Sequence, residues 1–296
     1  MRNGWVIAGM CLTFSACGIS GRPSTSTDGF SAGGDMTTFT GYGEQNGGDV
    51  CSDSAKLIYV VDHNGTLSSF QPGTLTFTDI GVLNCPAASG ATPFSMSVDR
   101  TATAWVGYSS SEVFKVDTKT GACSESPMPA HQSGFDMFGM GFVSNSSGSN
   151  DETLFIAGGT AIGELGGFAS LGSVDPKTLL VTNVGNLYGW PELSGTGDAN
   201  LWGFFPNGSS PRISKLDKTT GAEGQSYPLS GISAGGAWAF AQWGGDFWIF
   251  LGTSSDGSTQ VHLYRPGTGM LTTPVPQTGR TIVGAGVSTC APTVIQ

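Results

Sequence analysis

Short apolar runs recur along the chain at nearly even intervals: LIYVV around Tyr59, TAWVGY around Trp105, TLFIAGG around Phe155, NLWGFF around Trp202 and DFWIFL around Trp248. Their aromatics fall 46, 50, 47 and 46 residues apart. After each run comes a turn of one pattern: QPGTL at Gln71, DTKTG at Asp117, DPKTL at Asp175, DKTTG at Asp217 and RPGTG at Arg265, with Thr74, Thr120, Thr178, Thr220 and Thr268 in the same place. Asp at the start of such a turn bonds backbone amides two residues on, Pro presets φ, and Gly closes the turn in the left-handed region. Asp117, Asp175 and Asp217 are therefore read as turn punctuation rather than chemistry. Short strands, turn residues every ten or so positions and no helical period describe a four-stranded propeller blade. Five units predict an all-β, five-bladed β-propeller of antiparallel blades, with room for a degenerate sixth blade in the longer third unit.

A second set of segments aligns as one strand repeated five times: FSMSVDR from Phe94, FGMGFVS from Phe138, PELSGTG from Pro191, WAFAQWG from Trp238 and VGAGVST from Val283. The last of these precedes no further apolar run, and the run at Tyr59 has no such strand before it. The orphan at the C-terminal end is expected to complete the first blade, which closes the ring and removes free sheet edges. Cys290 ends that strand and Cys51 introduces its neighbour, so a Cys51–Cys290 disulfide would staple the ring. Cys85 at the end of blade one and Cys123 at the outermost strand of blade two are left to pair between adjacent blades, and buried free thiols are the alternative.

Within the repeated strand, small and large residues alternate. Ser95, Gly139, Glu192, Ala239 and Gly284 occupy the second position, and Ser97, Gly141, Ser194, Ala241 and Gly286 the fourth. Met96, Met140, Leu193, Phe240 and Ala285 stand between them and face the other way. Crowding at the axis places the small set toward the channel and the bulky set between sheets. Glu192 is the exception, a carboxylate where its four equivalents are tiny. Trp190, two residues earlier, would share its direction near the mouth of the channel, so GWPELSG is the candidate binding site. An aromatic platform beside a carboxylate suits a sugar hydroxyl, a cationic group or a bound ion. The structural alternative leaves Glu192 solvated or tied to backbone amides, and Trp190 packed under a loop.

The chain of 296 residues carries 47 Gly and has a formal net charge of −10, from 22 acidic and 12 basic residues without a basic cluster. The electrostatic footprint of a nucleic-acid binder is absent. At the start, MRNGWVIAGMCLTFSAC has one positive charge at Arg2 and a mostly apolar run to Ala16, too short to span a bilayer, so residues 1–16 read as an export leader. Ser15-Ala16-Cys17-Gly18 resembles the cleavage site of bacterial lipoprotein signals, which makes Cys17 the lipidated first mature residue; Phe14 stands where such signals usually carry Leu, and ordinary cleavage nearby is the alternative. Cys11 would be discarded with the leader. Residues 17–50, rich in Gly, Ser and Thr, read as the lipidated Cys plus a tether holding the domain of residues 51–296 about 30 Å from its anchor.

Catalytic signatures are sparse. GISAG, Gly231 to Gly235, fits Gly-x-Ser-x-Gly, but a nucleophile elbow needs a following helix and GAWAFAQW reads as strand. His63, His131 and His262 form no triad or ligand spacing, and no Cys or His spacing suggests zinc. Hydrolysis of a glycosidic bond takes two converging carboxylates, and the inner strands offer Glu192 and, at the far end, Asp99. The insertions NSSGSNDE and GGTAIGELGGFASLG around blade three read as surface excursions, or as a lip widening one face for binding.

The recurring core run and turn, as in Trp105-Val106 followed by Val116-Asp117 and Thr120-Gly121, resemble the quinoprotein-like and YVTN-type β-propellers of bacteria, and the whole chain is similar to exported β-propeller lipoproteins of unknown function. The resemblance covers about residues 51 to 290 and implies fold and export. Quinone-dependent members add calcium and acidic cofactor ligands that have no counterpart in these motifs, so no cofactor is carried over. The expectation is a monomeric, non-catalytic recognition or scaffolding head, lipid-anchored at the periplasmic or cell-surface side of a bacterial membrane, that binds an envelope protein or a glycan. The alternative is a carbohydrate-active hydrolase or lyase using Glu192.

Overall fold

The computed structural model describes residues 51–126, 128–160, 167–207, 210–252 and 257–294; the leader, Cys17 and the tether lie outside the described residues. Blade one contains β1 (Ile58–Asp62), β2 (Thr66–Gln71) and β3 (Thr76–Val82), and blade two β4 (Pro93–Val98), β5 (Thr103–Tyr108), β6 (Val113–Asp117) and β7 (Cys123–Glu125). Blade three is β8 (Met137–Ser144), β9 (Glu152–Gly159), β10 (Phe168–Val174) and β11 (Val181–Tyr188). Blade four is β12 (Glu192–Gly195), β13 (Leu201–Phe205), β14 (Arg212–Leu216) and β15 (Glu223–Pro228), and blade five β16 (Trp238–Trp243), β17 (Asp246–Gly252), β18 (Thr259–Arg265) and β19 (Met270–Val275). The last strand, β20 (Ile282–Gly286), pairs antiparallel with β1, Tyr59 opposite Gly286 and Val61 opposite Gly284. Five four-stranded antiparallel sheets result, the first in the order β20-β1-β2-β3, and the chain is a five-bladed β-propeller closed by its C-terminal strand. Among the described residues the long third unit holds one blade of long strands and no sixth.

Burial falls from the axis outward. Strands second from the axis, such as β1 and β13, are buried at every position, because a neighbouring blade covers each face. That is why they read as continuous apolar runs rather than as an alternation. The outermost strand β15 is exposed along nearly its whole length. Apolar packing divides into five clusters, one between each pair of adjacent blades. Met96, Met140, Leu193, Phe240 and Ala285 each enter the cluster shared with the preceding blade. The turn aspartates do what their spacing implies: Asp117 Oδ1 accepts from the Lys119 and Thr120 amides at 2.8 and 2.9 Å, and Asp217 repeats the geometry with Thr219 and Thr220 at 2.9 Å each. Four hydrogen bonds, the Thr219 hydroxyl's foremost, hold the Asp217 carboxyl down to about 2.

The closing segment is fastened on several sides. Ser288 Oγ donates to the Ala55 carbonyl at 2.6 Å, the Gly244 amide to the Pro292 carbonyl at 2.6 Å, and Trp243 Nε1 to the Lys56 carbonyl at 2.7 Å. Glu152 of blade three accepts from the Arg100 amide of blade two at 2.7 Å and from Thr289 Oγ1 at 2.8 Å. Cys51 bonds to Cys290 with 5.7 Å between Cα atoms, and Cys85 to Cys123 with 5.1 Å. The two disulfides belong to an oxidising compartment, extracellular or periplasmic. Among the described residues no helix is long and apolar enough to cross a membrane.

The closed loops differ in length, 239 residues apart for Cys51–Cys290 and 38 for Cys85–Cys123. By the loop-entropy estimate the first is worth about 5 kcal/mol and the second about 4. Cys290→Ser is expected to lower stability more than Cys123→Ser, measured by denaturant unfolding of each variant. A second prediction concerns His262, buried on β18 with Nδ1 2.9 Å from Thr273 Oγ1. Burial lowers its pKa to about 4 from 6.5. The folded state then binds fewer protons than the unfolded one, so this contribution is complete above pH 6.5 and lost as pH falls through 4. Its slope is up to about 1.4 kcal/mol per pH unit, and melting curves of His262→Gln between pH 7 and 4 should lack it.

Candidate functional site

The sheets approach each other most closely where the inner strands β4, β8, β12, β16 and β20 surround the axis. A Cβ on Gly284 would lie 2.9 Å from the Met96 amide nitrogen, and one on Gly286 2.8 Å from Ser97 Cα. The serines of the small set bridge neighbouring strands: Ser97 Oγ accepts from the Phe142 amide at 3.0 Å and Ser194 Oγ from the Gln242 amide at 2.9 Å. Small side chains there are a condition of the blades meeting at all, because a larger one would meet the backbone of the next strand.

Glu192 begins β12 and reaches across this crowded axis. Its Oε1 accepts from Ser95 Oγ of blade two, and the carboxylate also accepts from the Met140 amide of blade three. Room for it comes from Gly139, where a Cβ would lie 2.9 Å from Glu192 Cα and 3.0 Å from Oε2. The residue is 3% exposed, so the carboxyl is neither solvated nor at an open mouth. Burial pushes its pKa well above the usual 4.5, against the pull of the Ser95 and Met140 hydrogen bonds. Burial thus favours its uncharged form.

Trp190 takes a different course. Gly189 has φ +109°, and with Pro191 it interrupts the strand, which starts only at Glu192. The alternation therefore does not extend back to Trp190. Its ring joins Leu193, Phe205 and Leu187 between blades three and four, with Cη2 3.6 Å from where a Cβ on Gly159 would stand. Its Nε1 is buried and unpartnered, as is Asn207 Oδ1, which lies 2.8 Å from where a Cβ on Gly189 would be.

The remaining candidates have structural partners. Asp99 Oδ1 caps the turn to β5 through the Thr101 and Thr103 amides at 2.9 and 3.0 Å, and Oδ2 accepts from Trp105 Nε1 at 2.9 Å. GISAG runs into β16, not into a helix. His131 Nδ1 sits 2.7 Å from Asp136 Oδ1 on the loop entering blade three. His63 lines a cavity of about 310 Å³ with Asn64, Tyr108 and the connection from Leu83 to Pro93, which the Cys85–Cys123 disulfide fastens. Among the described residues no three His, Cys, Asp or Glu side chains gather to hold a metal ion. Sequence reading missed two exposed aromatics: Phe168, 80% exposed, at the start of β10, and Tyr188, 60% exposed, at the end of β11. Phe168 lies inside the insertion read as a lip, and that was its only signal in the sequence.

No protein-family model and no curated protein matches the chain. Among solved structures, a chain of a nidogen/laminin complex is similar with TM-score 0.49 and 9% identity, over 78% of this chain and 97% of that one. A protein from Lactobacillus plantarum gives TM-score 0.38 and 14% identity over 79% and 72%. A chain of the mitotic checkpoint complex gives 0.39 and 12% over 86% and 74%. No functional conclusion follows from likenesses this distant.

The buried acid makes a prediction of definite sign. A carboxyl with a raised folded pKa stabilises fully below its unfolded value near 4.5, and that contribution is lost as pH rises through the raised value. Glu192→Gln keeps shape and neutrality, so its melting temperature should overtake that of the wild type as pH rises from 5 to 9. Identical pH dependence of the two proteins would show an ionised, solvated carboxylate instead. Between about pH 4.5 and 6.5 the Glu192 and His262 slopes oppose, so either substitution alone unmasks the other.

Proposed function

We propose that the chain is a non-catalytic recognition or scaffolding head of the bacterial cell envelope, exported by residues 1–16, lipid-anchored at Cys17 and spaced from the membrane by the following Gly-, Ser- and Thr-rich segment. It meets an envelope protein or glycan as a monomer, through its loops and rims. The observation that carries this reading is the filled axis: the one carboxyl on the inner strands is buried and hydrogen-bonded to its neighbours. Enzymes usually place convergent polar groups in an accessible cleft. Here such groups serve the scaffold.

One observation favours the alternative, a carbohydrate-active hydrolase or lyase. Burial that favours the protonated form of Glu192 favours the state that a general acid requires. A general acid must also reach its substrate, and glycoside hydrolysis takes a second carboxylate roughly 5 to 9.5 Å away. Glu192 is 3% exposed, and Asp99 is committed to its turn.

The full chain expressed in a bacterial host tests both readings. Palmitate should label it in the membrane fraction, and Cys17→Ser should release it unlabelled. Pull-down from envelope extract should recover the same partners with wild type and Glu192→Gln. Release of reducing sugar by the wild type, abolished in Glu192→Gln, would transfer the assignment to the enzyme.

A further inference from the structure

Among the described residues Phe168 and Tyr188 are the only exposed Phe, Tyr or Trp side chains, and they touch each other. They stand opposite in the β10–β11 ladder, with ring centroids 5.7 Å apart and planes at 75°, so they form an open corner on the rim of blade three. The next rung on the same face pairs Ser170 with Asn186, about 7 Å along the strands. Asn186 is exposed and Ser170 half-buried. An aromatic corner thus adjoins a hydroxyl and a carboxamide.

The charge beside this corner among the described residues is paired. The nearest cation, Arg212, donates to the Tyr188 carbonyl at 2.8 Å and is paired with Glu223 at 2.6 Å, while its guanidinium lies 4.0 Å over the Phe205 ring. The chain beside the corner also holds unused hydrogen-bonding capacity. The Gly189 amide donates to the Gly167 carbonyl at 2.7 Å, and Asn207 Oδ1, a buried acceptor without a partner among the described residues, lies 2.8 Å from where a Cβ on Gly189 would stand.

We infer that this rim is a binding site for a neutral glycan, with the apolar face of one sugar ring stacked in the Phe168–Tyr188 corner and its hydroxyls hydrogen-bonded to Asn186, Ser170 and the Tyr188 hydroxyl. A sugar combines an apolar C–H face with hydroxyls that both donate and accept, which matches rings beside neutral polar groups. An anionic glycan would find Arg212, the cation beside the corner among the described residues, already paired with Glu223. A protein partner needs roughly 800 Å² per side with an apolar centre, far more than two rings. Of the other exposed large apolar side chains, Leu75, Val82, Met270 and Val294 belong to other blades or to the tail, and Leu180 stands at the opposite end of the β10–β11 hairpin. The inference rests on the recognition reading and names its ligand class and residues.

The test titrates the mature chain with neutral maltohexaose, cellohexaose and chitohexaose and with anionic hexagalacturonate. Wild type should bind at least one neutral hexasaccharide and not the anionic one. Phe168→Ala and Tyr188→Ala should each weaken that binding at least about tenfold, with melting temperature unchanged because both side chains are exposed. Absence of neutral-sugar binding, preference for hexagalacturonate, or binding indifferent to both substitutions would overturn the proposal. The same variants in the envelope pull-down separate it from the broader reading. Capture of a protein that survives both substitutions, without sugar binding, sinks the glycan site and keeps the recognition head; loss of both sugar binding and capture from the wild type sinks the two together.

Discussion

Five sheets can share an axis only if their innermost strands bring almost nothing between them. Backbone meets backbone there, as at Gly284 against the Met96 amide and Gly286 against Ser97, and the hydroxyls of Ser97 and Ser194 occupy the remaining gaps by joining one strand to the next. The bulk that a globular core ordinarily concentrates at its centre is instead distributed into five wedges between blades. Into each wedge its inner strand sends the apolar residue that stands between the two small positions, alongside others such as Phe138 and Phe142. Met, Met, Leu and Phe fill four of them, and Ala fills the one behind the closing strand.

Glu192 is the single large side chain that this geometry admits at its level, and only because Gly139 gives up the space and Ser95 and Met140 supply donors. A polar plug of this kind joins three blades by hydrogen bonds where methyl groups would give contact without direction. Burial favours its uncharged form, which avoids the large cost of a lone carboxylate in an apolar setting. His262 is the matching case in a wedge, a base kept neutral by burial. Both groups favour folding only while uncharged, one limiting the alkaline side and the other the acid side.

Much of this is legible in the chain because the repeat compares each residue with its four equivalents. The five core runs, the aspartate turns, the alternation of Met96, Met140, Leu193, Phe240 and Ala285 with small residues, and the orphan strand with its cysteine all predict a closed ring. What the repeat cannot convey is where an exceptional residue points. Glu192 stood out by type, but the vacancy opposite it is made by Gly139 and Ser95, which in sequence look like the rule being obeyed. Trp190 was placed by extending an alternation through Gly189 and Pro191, which break it. Phe168 fell inside the insertion read as a surface excursion or a lip and Tyr188 drew no reading, since exposure at a rim depends on how far the neighbouring blade extends, a distance that no local pattern encodes.

The pairing of β20 with β1 also orders events in time. A ribosome delivers β1 to β3 more than two hundred residues before their fourth strand, so the first blade waits with an open, strongly apolar edge while four complete blades are made. During that interval the N-terminal hairpins can pair with any similar strand that passes, including those of another nascent copy. A chain built this way depends for its yield on being kept apart from its siblings until the last strand arrives.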